Sequence, residues 1–141
     1  MNNNAPFHLV RLLTPKAMTR YLSSDMTLRQ ALEKFAVHRF SQVPILNEEG
    51  EYVASISEGD ILYFLKENNG RDYHFTEGVN IMDVPHYRDV LGLSIDASFE
   101  ELYRLALNQN YIPISDDRNK FIGIVKRKDV FVYLKEEYCH G

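Results

Sequence analysis

The apolar positions of this chain change period several times along its length. Leu28, Leu32, Phe35 and Ala36 recur at the three-and-four spacing of one helix face, and Asp25 or Thr27 ahead of them can accept the orphan amide protons of a first turn. Gln42 to Leu46 and Tyr52 to Ile56 are short β-rich runs on either side of Asn47-Glu48-Glu49-Gly50, a turn whose glycine can take positive φ. They predict a hairpin. From Glu58 to Lys66 helical spacing returns in Ile61, Leu62, Phe64 and Leu65, and Asn68-Asn69-Gly70 supplies residues that end a helix.

This order occurs twice. Val43-Pro44-Ile45 recurs 69 residues later as Ile112-Pro113-Ile114, and the same shift places Tyr52-Val53-Ala54 on Phe121-Ile122-Gly123, Asp60 on Asp129, and Leu65-Lys66-Glu67 on Leu134-Lys135-Glu136. Upstream, Ser24-Asp25-Met26-Thr27-Leu28 matches Ile95-Asp96-Ala97-Ser98-Phe99 at a shift of 71, so the second copy is shorter around its first helix. That copy predicts a helix through Phe99, Leu102, Tyr103 and Ala106, a hairpin turning at Asp116-Asp117-Arg118-Asn119, and a last helix through Val130, Phe131 and Leu134. The expected organisation is a first repeat over 13–70, a linker over 71–89 that crosses from one half to the other and has no clear period, and a second repeat over 90–137.

Composition narrows the possibilities. With 45% apolar and 26% charged residues among 141, the chain has the makings of a folded core, and at this length two halves sharing a core are more plausible than two independent domains. A net charge of -4 gives no electrostatic reason to expect nucleic acid as a partner. The single Cys139 cannot form an internal disulfide, Met1 to Phe7 lack the basic start and apolar stretch of a secretory signal, and no apolar run approaches the roughly 20 residues of a membrane span. The expectation is a cytoplasmic protein with no membrane association.

The candidate chemistry lies where each hairpin enters its second helix. Ser57-x-x-Asp60 before an apolar run has the form of a capping box that satisfies orphan amides. The same pair suits a nucleotide, because an ionised Asp can accept both hydroxyl protons of a ribose and a Ser at a helix start can bond phosphate beside free amides. The matching stretch of the second copy carries Lys126 in place of the hydroxyl, followed by Arg127, Lys128 and Asp129: either a phosphate clamp or a solvated basic turn. His38, His74 and His86 have carboxylates nearby but no structural-metal spacing, so no metal is expected. No Ser, Cys or Lys sits in a recognisable nucleophile context and no Gly-rich phosphate loop follows a strand, which argues against an enzyme.

Helix, strand, turn, strand, helix, with Pro44 or Pro113 in the first hairpin strand and the stretches Ala54-Ser55-Ile56-Ser57-Glu58-Gly59-Asp60 and Gly123-Ile124-Val125-Lys126-Arg127-Lys128-Asp129, resembles the cystathionine-β-synthase-type (CBS) domain. The resemblance runs from Leu13 to Glu137 and is to the stand-alone CBS-pair proteins of bacteria. It implies an α+β fold in which two β-α-β-β-α-like repeats pack through their sheets about a pseudo-two-fold axis, and a homodimer. It further implies two clefts for an adenosine derivative, one combining Ser57 and Asp60 with Asn110, Tyr111 and Ile112, the other Lys126 and Asp129 with Ser41, Gln42 and Val43. Tyr111 would stack on a purine or pack in its strand. The implied function is a regulatory module that senses AMP, ADP, ATP or a cyclic dinucleotide, requires no cofactor, and signals through a separate target protein. A ligand-free dimerisation or docking scaffold and an S-adenosylmethionine sensor are the alternatives. The departures, Ala54 for glycine and Lys126 for a hydroxyl, lead to the expectation that the Asp60 site is the better of the two.

Overall fold

The computed structural model describes residues 6–39 and 41–139, with side chains to residue 137; residues 1–5 and the side chain of Cys139, on which two of the expectations above rest, lie outside them. The fold is mixed α+β. It divides into two compact units: a central one, Arg20–Asp89, and a terminal one built from both chain ends, Met1–Thr19 with Val90–Gly141.

In the central unit, β2 (Leu22–Ser23) leads into α1 (Leu28–His38), then the hairpin β3 (Gln42–Leu46) and β4 (Tyr52–Ser57), then α2 (Glu58–Glu67). Thr27 caps α1 in a reciprocal capping box with Gln30, and Arg39 closes it in the left-handed conformation. The hairpin turns through Gly50 at φ 80°. β3 is the middle strand, antiparallel to β4 and parallel to β2. Leu28, Ala31 and Phe35 point into the core with Val43, Ile45, Ile56 and Ile61. Ala31 belongs to that face where the sequence suggested Ala36, which is exposed, and Leu62 likewise faces outward at 68% exposure. The segment 71–89 is folded: it forms two short 3-10 helices, Tyr73–Gly78 and Ile81–Asp83, and gives Ile81 and Val84 to this core.

The terminal unit repeats the plan with one addition. β5 (Leu93–Ser94), α3 (Phe99–Ala106), β6 (Tyr111–Ser115), β7 (Phe121–Lys126) and α4 (Arg127–Cys139) follow in order, and β1 (Thr14–Pro15) pairs antiparallel with β7 to make four strands in the order β1-β7-β6-β5. That pairing depends on Gly123. Its φ is 151°, and a Cβ placed there would lie 2.2 Å from the Thr14 carbonyl oxygen. The repeat counterpart of Gly123 is Ala54, and the central sheet has three strands. Ser98 caps α3 in a capping box with Glu101, and Leu9, Leu102, Ala106, Ile112, Ile114, Val125 and Val130 form the core.

Candidate functional site

Both chemistry-bearing stretches fall where the pattern predicted, at the junction of the second hairpin strand with the following helix. The hairpin registers match: Gln42 opposes Ser57, and Tyr111 opposes Lys126. In each unit the first helical amide is held by a carbonyl from the preceding loop, Glu58 N–H by Ser41 and Arg127 N–H by Asn110, at 2.9 and 3.0 Å.

Beyond that the two diverge. Ser57 Oγ accepts from the Asp60 amide at 3.1 Å, and Asp60 Oδ2 accepts from the Ser57 amide at 3.0 Å, a complete capping box on α2. Asp60 Oδ1 accepts from the Tyr87 amide at 3.2 Å, and the residue is only 7% exposed. Each carboxylate oxygen is therefore already engaged by a backbone donor. The segment that supplies Tyr87 covers this junction further. The Tyr87 ring lies 5.1 Å from Tyr63, and His86 shares with Ser55, Ala54 and Met82 a gap of only about 10 Å³. On the same strand Tyr52 bonds Ser55 Oγ at 2.8 Å, and burial pushes its phenol up to about 12, with Asp89 adding to the rise. Glu58 is exposed.

Lys126 cannot take the place of Ser57, because an ammonium has no lone pair to offer an amide. Among the described residues none donates a hydrogen bond to Asp129, although it is half-buried in the first turn of α4. It lines instead a cleft of about 250 Å³ within the terminal unit, together with Arg11, Thr14, Tyr133 and Glu136. Arg127 turns its Nε–H back onto the carbonyls of Ala106 and Gln109, at 2.9 and 3.0 Å, where a cation complements the C-terminal end of α3. Lys126 and Lys128 point to solvent.

The pre-proline residues contribute little side chain. Val43 and Ile112 are core residues, 1% and 0% exposed, so only their backbones can face a ligand. Tyr111, 6% exposed, is a strand-packing residue and not a free stacking platform. Gln42 is half-buried, while Ser41 and Asn110 are exposed. Gln109, which the pattern did not single out, is buried and fully used: it accepts from the Leu91 amide and donates to the carbonyls of Leu91 and Tyr111. The residue the sequence reading missed is Arg11. It lies before the first predicted helix, and nothing in the local pattern ties it to Asp129, 118 positions on.

Among the described residues no group of three or more His, Cys, Asp or Glu side chains is placed to hold a metal ion, and no helix is long and apolar enough to cross a membrane. His74 bonds Glu77 at 2.7 Å, which raises the imidazole from its usual value and lowers the carboxyl, and His86 lies 3.3 Å from Asp89. Elsewhere in the terminal unit, Phe99, Tyr103, Phe131 and Leu134 line an open groove of about 650 Å³ between α3 and α4, and the Phe7 ring meets Phe99 and Tyr133 edge-on at 5.5 and 5.4 Å.

Comparison with known proteins agrees with this architecture. The chain is 22% identical to an uncharacterized protein of Methanocaldococcus jannaschii, over 95% of each chain. Among solved structures it is similar to CbpB in complex with c-di-AMP, with a TM-score of 0.80 and 21% identity over 92% of this chain and 85% of that one. It is also similar to CBSX2 in complex with AMP, with a TM-score of 0.72 and 19% identity over 94% and 98%. At these identities the likeness is one of fold. The CBS domain model matches twice, at residues 13–67 and 81–136, and with most of its length so covered the chain belongs to the CBS domain family.

Proposed function

We propose that this protein is a regulatory module that binds an adenine nucleotide at the Asp129 cleft and passes the signal to a separate protein partner. The observation that carries the reading is the contrast between the two aspartates: Asp60 has both oxygens committed to backbone amides, whereas Asp129 has no donor among the described residues and faces a cleft. A half-buried carboxylate without a partner is costly, and ribose hydroxyls are donors of the right kind to relieve it. The fold relatives that hold AMP or c-di-AMP support the choice of an adenine nucleotide over other hydroxyl-bearing ligands. Binding produces a signal by favouring one arrangement of the protein over another, so the ligand acts as a sensor input and not as a substrate. The earlier preference for Asp60 gives way because the capping box and Tyr87 use it structurally.

A thermal-shift panel tests this. A nucleotide at a hundred times its dissociation constant adds about 2.7 kcal/mol, enough to raise the melting temperature by several degrees. No shift with any adenine nucleotide, cyclic dinucleotide or S-adenosylmethionine would leave the second reading, a dimerisation or docking scaffold. The open aromatic groove between α3 and α4, with Phe131 40% exposed, favours that reading.

A further inference from the structure

We infer that the Asp129 cleft selects a nucleoside monophosphate and that Arg11 is the residue that holds its one phosphate, an inference that rests on the nucleotide reading and names the ligand within it. Size is the first argument. At about 250 Å³ the cleft falls just under the ~300–1,000 Å³ of pockets that enclose drug-sized ligands, which gives room for one nucleoside and not for two.

Charge is the second. Asp129, Tyr133 and Glu136 lie four and three residues apart on α4, hence on one face, and form one wall of the cleft; Arg11 and Thr14 are on the other. Arg11 makes no ion pair with Asp129 or Glu136 among the described residues, so one cation and two anions line the same space without neutralising one another. A guanidinium can grip one phosphate by a fork of two N–H groups. Among the described residues the other charged lining groups of the cleft are carboxylates, so each further phosphate would add negative charge beside them, and at close range that repulsion is unfavourable.

Anchorage is the third. Arg11 sits in the 3-10 turn Leu9–Leu12, which Leu9, 1% exposed, fixes in the core, and its amide bonds the His8 carbonyl at 3.1 Å. The backbone that presents the guanidinium is thereby set, and only the side chain has to be ordered by a ligand. Arg11 thus takes the phosphate role that the sequence pattern offered to Lys126 and Arg127.

Calorimetric titration of adenosine, AMP, ADP, ATP and c-di-AMP into the wild type, Arg11→Gln and Arg11→Lys tests the inference, with melting curves to confirm that both variants fold. AMP should bind the wild type most tightly. Arg11→Gln should weaken AMP by roughly tenfold or more, as loss of a charge-assisted contact does, leave adenosine unchanged, and be partly restored by Arg11→Lys. Tighter binding of ATP or c-di-AMP than of AMP overturns the monophosphate assignment. Equal loss for AMP and adenosine, or no loss for AMP, overturns the role of Arg11 while the nucleotide reading stands. If none of the five binds the wild type, both fall together.

Discussion

Asp60 and Asp129 hold the same station in the two repeats, three residues into the helix that follows a hairpin, and they live in different surroundings. Asp60 is buried beneath a closed ring of backbone donors; Asp129 looks into a cleft with no donor among the described residues. Two contacts make the difference, the capping box and the Tyr87 amide. Where Ser57 offers a hydroxyl oxygen, the reciprocal capping box closes and the carboxylate becomes part of the fold. Lys126 offers none, so the Asp129 amide has no such cap, and among the described residues no counterpart of the Tyr87 amide donates to the Asp129 carboxylate. The units differ at a second position: Gly123 lets the Thr14 carbonyl approach β7, while its repeat counterpart is Ala54, in a sheet of three strands.

The comparison can be broken most severely at Gly123. Gly123→Ala brings a methyl against the Thr14 carbonyl at a φ that L-residues avoid and should cost about 3 kcal/mol or more by urea unfolding. The mirror change Ala54→Gly should cost less than about 1 kcal/mol. Similar losses for the two would show that the β1 pairing does not hold the terminal unit together.

Next come the aspartates. Asp60→Ala removes the box and orphans the Tyr87 amide, a predicted loss of about 2 kcal/mol, whereas Asp129→Ala should change stability by less than about 0.5 kcal/mol and abolish nucleotide binding. The reverse pattern, with Asp60→Ala silent in stability and defective in binding, would return the site to the central unit.

The smallest and most specific effect is expected from Lys126→Ser. Giving the terminal unit the hydroxyl it lacks should let Asp129 close a capping box, stabilise α4 by about 1 kcal/mol, and weaken the nucleotide by drawing its acceptor away. A gain in stability with undiminished affinity would mean that Asp129 serves both partners at once.

Much of the fold was legible because it depends on local patterns. Helical spacing located α1 to α4 through residues such as Phe35, Ile61, Leu102 and Val130, and the turns at Gly50 and Asn119 take the positive φ that their composition suggests. What the sequence missed is non-local. Nothing near Thr14 announces that it pairs with Ile124, and the segment 71–89 lacks a period because Ile81 and Val84 enter the core from 3-10 turns. The site was half legible. The positions of Asp60 and Asp129 came from the repeat, but whether each carboxylate is spent or spare depends on Tyr87 and Arg11, which are brought in from elsewhere in the chain. Arg127 misled for a similar reason, since its target is the end of a helix 21 residues back.

The strand β1 also bears on how the molecule is made. The central unit is one contiguous stretch of chain and can complete its own strand pairings as soon as Asp89 has emerged from the ribosome. The terminal unit cannot, because Thr14 and Pro15 must wait for Gly123 and Ile124, an interval of several seconds at ~5–20 residues per second. Until then β1 is an unmatched strand, open to non-productive pairing. Cleavage between Pro15 and Arg20 would thus do its damage to the terminal unit, far along the chain from the cut.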